Sequence, residues 1–356
     1  MLKILIPILG FDPGGGVRVL TQLANTWVQA GHRCVFLVPE GSRSPYFPVG
    51  AEIQYATSVG VSDTCTTCTS KLPALMLLYR GLREVSSQFD IVLANHSLTS
   101  WAVWLASDAR VKKFYYIQAY EPDYYPWTRM PVKKMMARLS YLLPFEQLTN
   151  SDTYRAHGIK PLAVIPPGID LEVFTPKPNQ GPAEWSKVVL GTVGRKEPFK
   201  GTRFAMEAFR LLRQANSTCT IRVALGNVDP EEGIEIVPIA SDRELAQFYR
   251  SVDILLVACV GQHAAPHYPL IEAMASCTPV VHTGFFPGNE ENSYVAVPSD
   301  AASIAAKVME VLQDQRYAEK VAAARAFVED HLQWETIANK FIEVFSTSTR
   351  SARHSR

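Results

Sequence analysis

The stretch Val188-Val-Leu-Gly-Thr-Val-Gly-Arg-Lys-Glu-Pro-Phe-Lys-Gly201 decides how this chain reads. Val188, Val189 and Leu190 form an apolar run suited to a buried parallel strand. Gly191 and Gly194 let the backbone turn and approach a ligand closely. Arg195 and Lys200 follow at the mouth of a helix expected from Thr202. A strand, a glycine turn, two cations and a helix N-terminus together suit a diphosphate. An ordinary strand-to-helix loop with two solvated charges fits the same residues.

A second stretch, Tyr268-Pro-Leu-Ile-Glu-Ala-Met-Ala-Ser-Cys-Thr-Pro-Val-Val281, follows about 70 residues on. Pro269 suits the first turn of a helix and puts Glu272 in that turn. Thr278-Pro279 then ends the helix before a strand at Val280. A carboxylate there can accept hydrogen bonds from a ribose diol, or merely complement the helix dipole.

In this order the two stretches resemble the C-terminal half of retaining glycosyltransferases of family 4. Those enzymes have the GT-B fold: α/β, with two Rossmann-like domains facing each other across a cleft. The resemblance implies that Gly194, Arg195 and Lys200 hold the diphosphate of a sugar nucleotide and that Glu272 holds its ribose. It also implies that the loops at Gly226 and Ile239 lie against the base.

Composition sets the frame. With 356 residues, 47% hydrophobic and 19% charged, the chain is globular and large enough for two α/β domains. Thirty-five basic residues against 34 acidic ones give a net charge of +1, which argues against a nucleic-acid partner. The expected division is an N-terminal acceptor domain over 1–177, a linker over 178–187 and a donor domain over 188–331. A helix over 332–346 then returns to the first domain, and a disordered tail covers 347–356. Six cysteines without metal spacing suggest a reducing compartment, with Cys65 and Cys68 the one close pair. Met1 to Gly10 reads as a strand, too short for a signal peptide, and no apolar run reaches spanning length. The expected location is cytoplasmic, at most peripheral on the inner face of the cell membrane.

The opening is strand, glycine loop, helix, strand, yet Gly14-Gly15-Gly16 is not the dinucleotide fingerprint. Gly15 and Gly16 match the glycine pair that lets the family's first helix point its N-terminus at the diphosphate. His96 ends a strand and falls where many family members carry a histidine. Gln118-Ala-Tyr-Glu-Pro-Asp-Tyr-Tyr-Pro-Trp127 resembles the matching segment of rhamnosyltransferases that build bacterial surface polysaccharides. His96, Gln118, Glu121 and Asp123 are the acceptor-side candidates. His96 and Glu121 join Arg195 and Lys200 as catalytic ones. From Arg129 to Leu143 basic and apolar residues alternate at helical spacing. That suits either a core helix or a seat on anionic lipid for a lipid-linked acceptor.

The match fails at one place. Family 4 carries an acidic residue eight positions before Glu272, where this chain has Ala264. His263 or His267 could replace it beside Tyr268. Pro266-His-Tyr-Pro269 resembles the Pro-Ser-Tyr-Pro of the same rhamnosyltransferases, which points to a dTDP-rhamnose-like donor. No Asp-x-Asp pair occurs. The expected enzyme is therefore a metal-independent hexosyltransferase, with no cofactor beyond a UDP- or dTDP-type sugar nucleotide. A nucleotide-binding homologue without catalysis and a sugar-nucleotide epimerase of the same architecture are the alternatives.

Overall fold

The structure is a computed structural model that describes residues 1–12, 14–64, 72–178, 181–261 and 264–354. Its chain forms two compact units. One comprises Met1–Pro167 with Trp334–Arg356, and the other Gly168–Gln333.

The first unit opens with β1 (Lys3–Pro7), α1 (Gly15–Gln29) and β2 (Arg33–Pro39). There follow β3 (Glu52–Ala56), β4 (Val61–Ser62), α2 (Ala74–Val85), β5 (Ile91–Ala94) and α3 (Ser97–Ala106). Then come β6 (Lys112–Ile117), α4 (Pro131–Ser140), β7 (Glu146–Thr149) and β8 (Ala163–Val164). The sheet order is β4-β3-β2-β1-β5-β6-β7-β8, parallel except for the β3–β4 pair. Ile4, Leu5 and Ile6 in β1 and Ile91 to Ala94 in β5 are fully buried. Helices cover both faces of such a sheet, so its central strands are apolar on both sides.

The second unit holds β9 (Val189–Val193), α5 (Thr202–Ala215), β10 (Thr220–Ala224), β11 (Ile234–Val237) and α6 (Asp242–Arg250). It continues with β12 (Ile254–Val257), α7 (Tyr268–Ala275), β13 (Val280–His282), β14 (Tyr294–Val295), α8 (Ala301–Gln313) and α9 (Tyr317–His331). All pairs in its sheet, β11-β10-β9-β12-β13-β14, are parallel. Phe204, Ala205, Ala208, Phe209 and Leu212 recur at helical spacing and give α5 a buried stripe.

α10 (Trp334–His354) belongs to the first unit. Trp27 of α1 is fully buried and donates Nε1–H to the Ala338 carbonyl at 3.1 Å. Its ring lies 5.7 Å from Phe341 and 5.8 Å from Phe345. The expected disordered tail is therefore corrected, because the helix continues past Phe345 to His354. Ser348 helps hold it there by donating to Glu146 Oε1.

The domain boundary also moves. Residues 168–177 belong to the second unit rather than the first. Phe174 is fully buried there, its ring 6.2 Å from Tyr249, and Lys177 Nζ donates to the Val252 carbonyl at 2.8 Å. Trp185–Lys187, expected as linker, forms a 3-10 turn. Among the described residues no helix is long and apolar enough to cross a membrane.

Candidate active site

Both sheets reverse their strand order near the middle, between β1 and β5 in one and between β9 and β12 in the other. In open α/β sheets ligands bind at the carboxyl ends of strands at such a switch point. The candidate residues gather at these two places.

In the second unit the chain leaves β9 through Gly194 and Arg195, makes a 3-10 turn at Pro198–Lys200 and enters α5 through Gly201. The loops here are packed too closely for side chains. A Cβ on Gly194 would lie 1.7 Å from the Gly226 carbonyl oxygen. One on Gly201, whose φ is +71°, would lie 1.8 Å from the Ala258 oxygen at the end of β12. Thr202 Oγ1 accepts from Arg195 N at 3.0 Å and donates to Arg195 O at 3.1 Å, closing the turn. Asn227 Nδ2 donates to the Gly194 carbonyl at 3.0 Å, which ties in the loop after β10. Leu225, Gly226 and Asn227 all have positive φ. For the two that are not glycine this is strained backbone of the kind found beside ligands.

Arg195 is exposed and Lys200 half-buried. Among the described residues neither has a carboxylate partner, and Lys200 Nζ lies 5.3 Å from the centre of the Phe199 ring. Their charges converge on one spot. Burial first, then Lys200 and Arg195, push His267 down to about 3. Burial raises the Cys259 thiol to about 11, with the same two cations opposing it. Cys259 Sγ donates to the Lys200 carbonyl at 3.4 Å and lies 3.1 Å from His267 Nε2. That leaves His267 Nδ1 buried without a protein partner. Gly194, Arg195, Lys200, Gly226 and His267 are thus brought together, and half-buried Ile239 follows β11.

Two donor-side residues are placed differently from expectation. α7 begins at Tyr268, so Glu272 is its fifth residue and lies in the second turn. Glu272 is 1% exposed, and Oε2 accepts from Tyr249 OH at 2.8 Å. Its observed partner is therefore a core phenol. Tyr268 OH donates to the Gly168 carbonyl at 3.4 Å. Ala264 takes a left-handed φ of 61° and donates its N–H to the Gly284 carbonyl at 2.7 Å. His263, Cys65 and Cys68 lie outside the described residues.

In the first unit α1 starts at Gly15, with no side-chain cap and no acid in its first turn. Its first N–H groups are therefore available to an anion. Gly15 has open space where a Cβ would go. Gln118 Nε2 donates to the Gly16 carbonyl at 3.2 Å, and Asn95 Nδ2 to the Pro7 carbonyl at 3.1 Å, joining the ends of β1, β5 and β6.

His96 caps α3 and is held at both ring nitrogens. Nδ1 accepts from Leu98 N at 3.1 Å, and Nε2 lies 3.2 Å from Glu121 Oε2. Glu121 is itself buried. It accepts from Ser97 N at 2.9 Å (Oε1) and 3.1 Å (Oε2), and from Ser97 Oγ at 2.5 Å. Burial, then the charge of Glu121, raises the Tyr141 and Tyr125 phenols. Asp123 is exposed in the 3-10 turn Glu121–Tyr124. Both ring nitrogens of His96 thus have partners, and Glu121 already serves three donors. His96 and Glu121, the two catalytic candidates of this unit, are therefore bound to each other.

Sequence reasoning missed Tyr249, Ser97, Cys259 and Asn227, because only folding carries them to the site. Gly201 gave a local signal, a glycine directly before a helix, that could have marked it.

Residues 13–173 match the family described as Glycosyltransferase Family 4, and residues 187–314 match Glycosyl transferases group 1. A D-inositol 3-phosphate glycosyltransferase of Stackebrandtia nassauensis is 25% identical over 54% of this chain and 52% of its own length. The chain thus matches about half the length of that relative. A protein of the same name from Kineococcus radiotolerans is 25% identical over 76% of this chain and 74% of its own. These names do not carry the rhamnose specificity suggested by the residues around Tyr120 and Tyr268. The crystal structure of Anabaena Alr3699/HepE in complex with UDP and glucose superposes with a TM-score of 0.70 at 17% identity, covering 98% of this chain and 100% of that one. With its two Rossmann-like sheets and a glycosyltransferase model matched in each half, the chain has the GT-B fold.

Proposed function

We propose that this enzyme moves a hexosyl group from a nucleoside diphosphate sugar to a hydroxyl of a glycan or lipid-linked acceptor. One arrangement supports the reading: Arg195 and Lys200, without a carboxylate partner among the described residues, stand on the glycine-lined loop between the carboxyl end of β9 and the start of α5. Two uncompensated cations over a helix entrance are the electrostatics a departing diphosphate requires. They stabilise negative charge as it grows on the leaving group, while the sugar carbon becomes oxocarbenium-like. Preorganised charge of this kind supplies several kcal/mol.

The chain's own residues divide the remaining work. Gly194 and Gly226 bring backbone close to the nucleotide, and Ile239 offers an apolar edge to the base. Glu272, buried against Tyr249, reaches a ribose only by turning out from that phenol. On the acceptor side the His96–Glu121 pair and Gln118 border the place where a hydroxyl would arrive, and Asp123 is the carboxylate open to a proton. With His96 and Glu121 locked together, the step draws no base from them, which favours the retaining course implied by family 4.

Two donor classes compete. Ala264 removes a carboxylate that would grip sugar hydroxyls, which favours a 6-deoxy sugar such as rhamnose on dTDP and a role in surface polysaccharide synthesis. The UDP and glucose in the HepE structure favour a UDP-hexose. The four described cysteines are free thiols, in keeping with a cytoplasmic setting.

Titration with UDP, dTDP and GDP, then with their sugars, tests the reading. Arg195→Ala and Lys200→Ala should each weaken binding of the preferred diphosphate by about 10–100-fold, the loss of one charge-assisted hydrogen bond. Unchanged affinity in both variants would remove the diphosphate assignment.

A further inference from the structure

Most helices of this protein bury their large apolar side chains, and α4 does the reverse. Its buried residues are the small Ala137 and Ser140. Val132 is 63% exposed, Met135 50% and Leu139 41%, and Leu142 just beyond the helix is 79% exposed. At about 100° per residue these four positions make one stripe, turned away from Ala137 and Ser140. Within 129–143 the buried residues are Ala137, Ser140, Tyr141 and Leu143.

The stripe extends to neighbouring elements. Trp127 (54% exposed), Tyr124 (50%) and Met130 (40%) precede it, and Trp104 (41%) and Leu105 (59%) project from α3. Trp101 Nε1 donates to the Met136 carbonyl at 3.1 Å, fixing α3 to α4. Of the twenty large apolar side chains exposed among the described residues, nine lie between 104 and 142. Scattered exposed apolar residues need no explanation, but this concentration does.

Charge identifies the occupant. From Tyr124 to Phe145 the sequence contains Arg129, Lys133, Lys134 and Arg138 and no acidic residue. Lys134 and Arg138, one turn apart, flank the stripe, and Lys134 Nζ lies 5.8 Å from the centre of the Trp127 ring. Large apolar residues, aromatic residues with polar edges and a basic flank without acids are the features of a surface that sits in a headgroup layer.

We infer that the outward face of α4, with Trp127, Trp104 and Leu142, docks this protein on an anionic lipid bilayer. The 3-10 turn bearing Glu121 and Asp123 leads directly into this face, so a lipid-linked acceptor would arrive beside the His96–Glu121 pair. Docking itself needs neither donor nor acceptor. Its failure would leave the transferase reading intact, and loss of nucleotide binding would leave the docking face intact.

Flotation of the full-length protein with vesicles tests it. The protein should float with vesicles of phosphatidylcholine containing phosphatidylglycerol and stay behind with phosphatidylcholine alone. Added salt should release part of it. Lys134→Glu with Arg138→Glu should lower apparent vesicle affinity by about tenfold or more. Met135→Ser with Leu139→Ser should lower it even at low salt, and unchanged circular dichroism would show that the fold survives. No flotation with anionic vesicles, or flotation unaffected by either double variant, overturns the inference. So does a dimer in sedimentation velocity that Met135→Ser with Leu139→Ser dissociates, because a second copy would then cover the face.

Discussion

Nε2 of His96 lies 3.2 Å from Oε2 of Glu121, while Nδ1 of the same ring accepts from the Leu98 amide. The histidine is a fixed hydrogen-bond donor rather than a proton acceptor. His96→Asn should therefore lower transfer by a constant factor across about pH 6 to 9, without moving the limbs of the pH–rate profile. Disappearance of an acid limb in that variant would show that His96 acts as a base after all. Glu121→Gln should lower stability by about 1–3 kcal/mol, because Ser97 and His96 lose a charged acceptor in a buried place.

Glycines at the donor loops differ sharply in what they tolerate. Gly194→Ala would put a methyl 1.7 Å from the Gly226 oxygen, and Gly201→Ala one 1.8 Å from the Ala258 oxygen. Each should cost about 2–4 kcal/mol and abolish nucleotide binding as the loops part. Gly15→Ala meets nothing within 4 Å and should change stability by less than about 1 kcal/mol. Melting curves of the three variants check the contrast, and a tolerant Gly194→Ala would contradict the packing described.

Acid should unfold the second unit early. Burial, and for His267 the nearby Lys200 and Arg195, depress His267 from 6.5 to about 3 and His282 from 6.5 to about 4. Below about pH 6.5 the unfolded chain takes up protons that the folded one refuses, so stability falls as pH falls. Down to about pH 4 each histidine costs about 1.4 kcal/mol per pH unit. His282 is locked neutral, since Nδ1 accepts from Gly284 N and Phe285 N at 3.1 Å each. Denaturant midpoints at several pH values should show this slope, and His267→Gln should flatten it. An unchanged slope would mean that His267 is not buried as a neutral ring.

Tyr249→Phe removes the one phenol hydrogen placed 2.8 Å from Glu272 Oε2. Leaving that buried carboxylate short of a donor should destabilise the protein by about 1–3 kcal/mol. If Glu272 instead turned outward to a ribose alone, Tyr249→Phe would be nearly neutral in chemical denaturation.

What the sequence determined by itself was local and periodic. Val188 to Leu190 announced a buried strand, Gly191 and Gly194 a tight turn ahead of a helix, and the alternation of strands and helices two Rossmann-like layers. These follow from steric and hydrophobic rules that act within a few residues. Tertiary structure decided the rest, because it depends on which distant groups share a space. It withdrew Glu272 beneath Tyr249, closed His96 onto Glu121 and turned the apolar stripe of α4 outward. Helical spacing fixes which residues share a face, but only packing decides whether that face meets the core or the solvent.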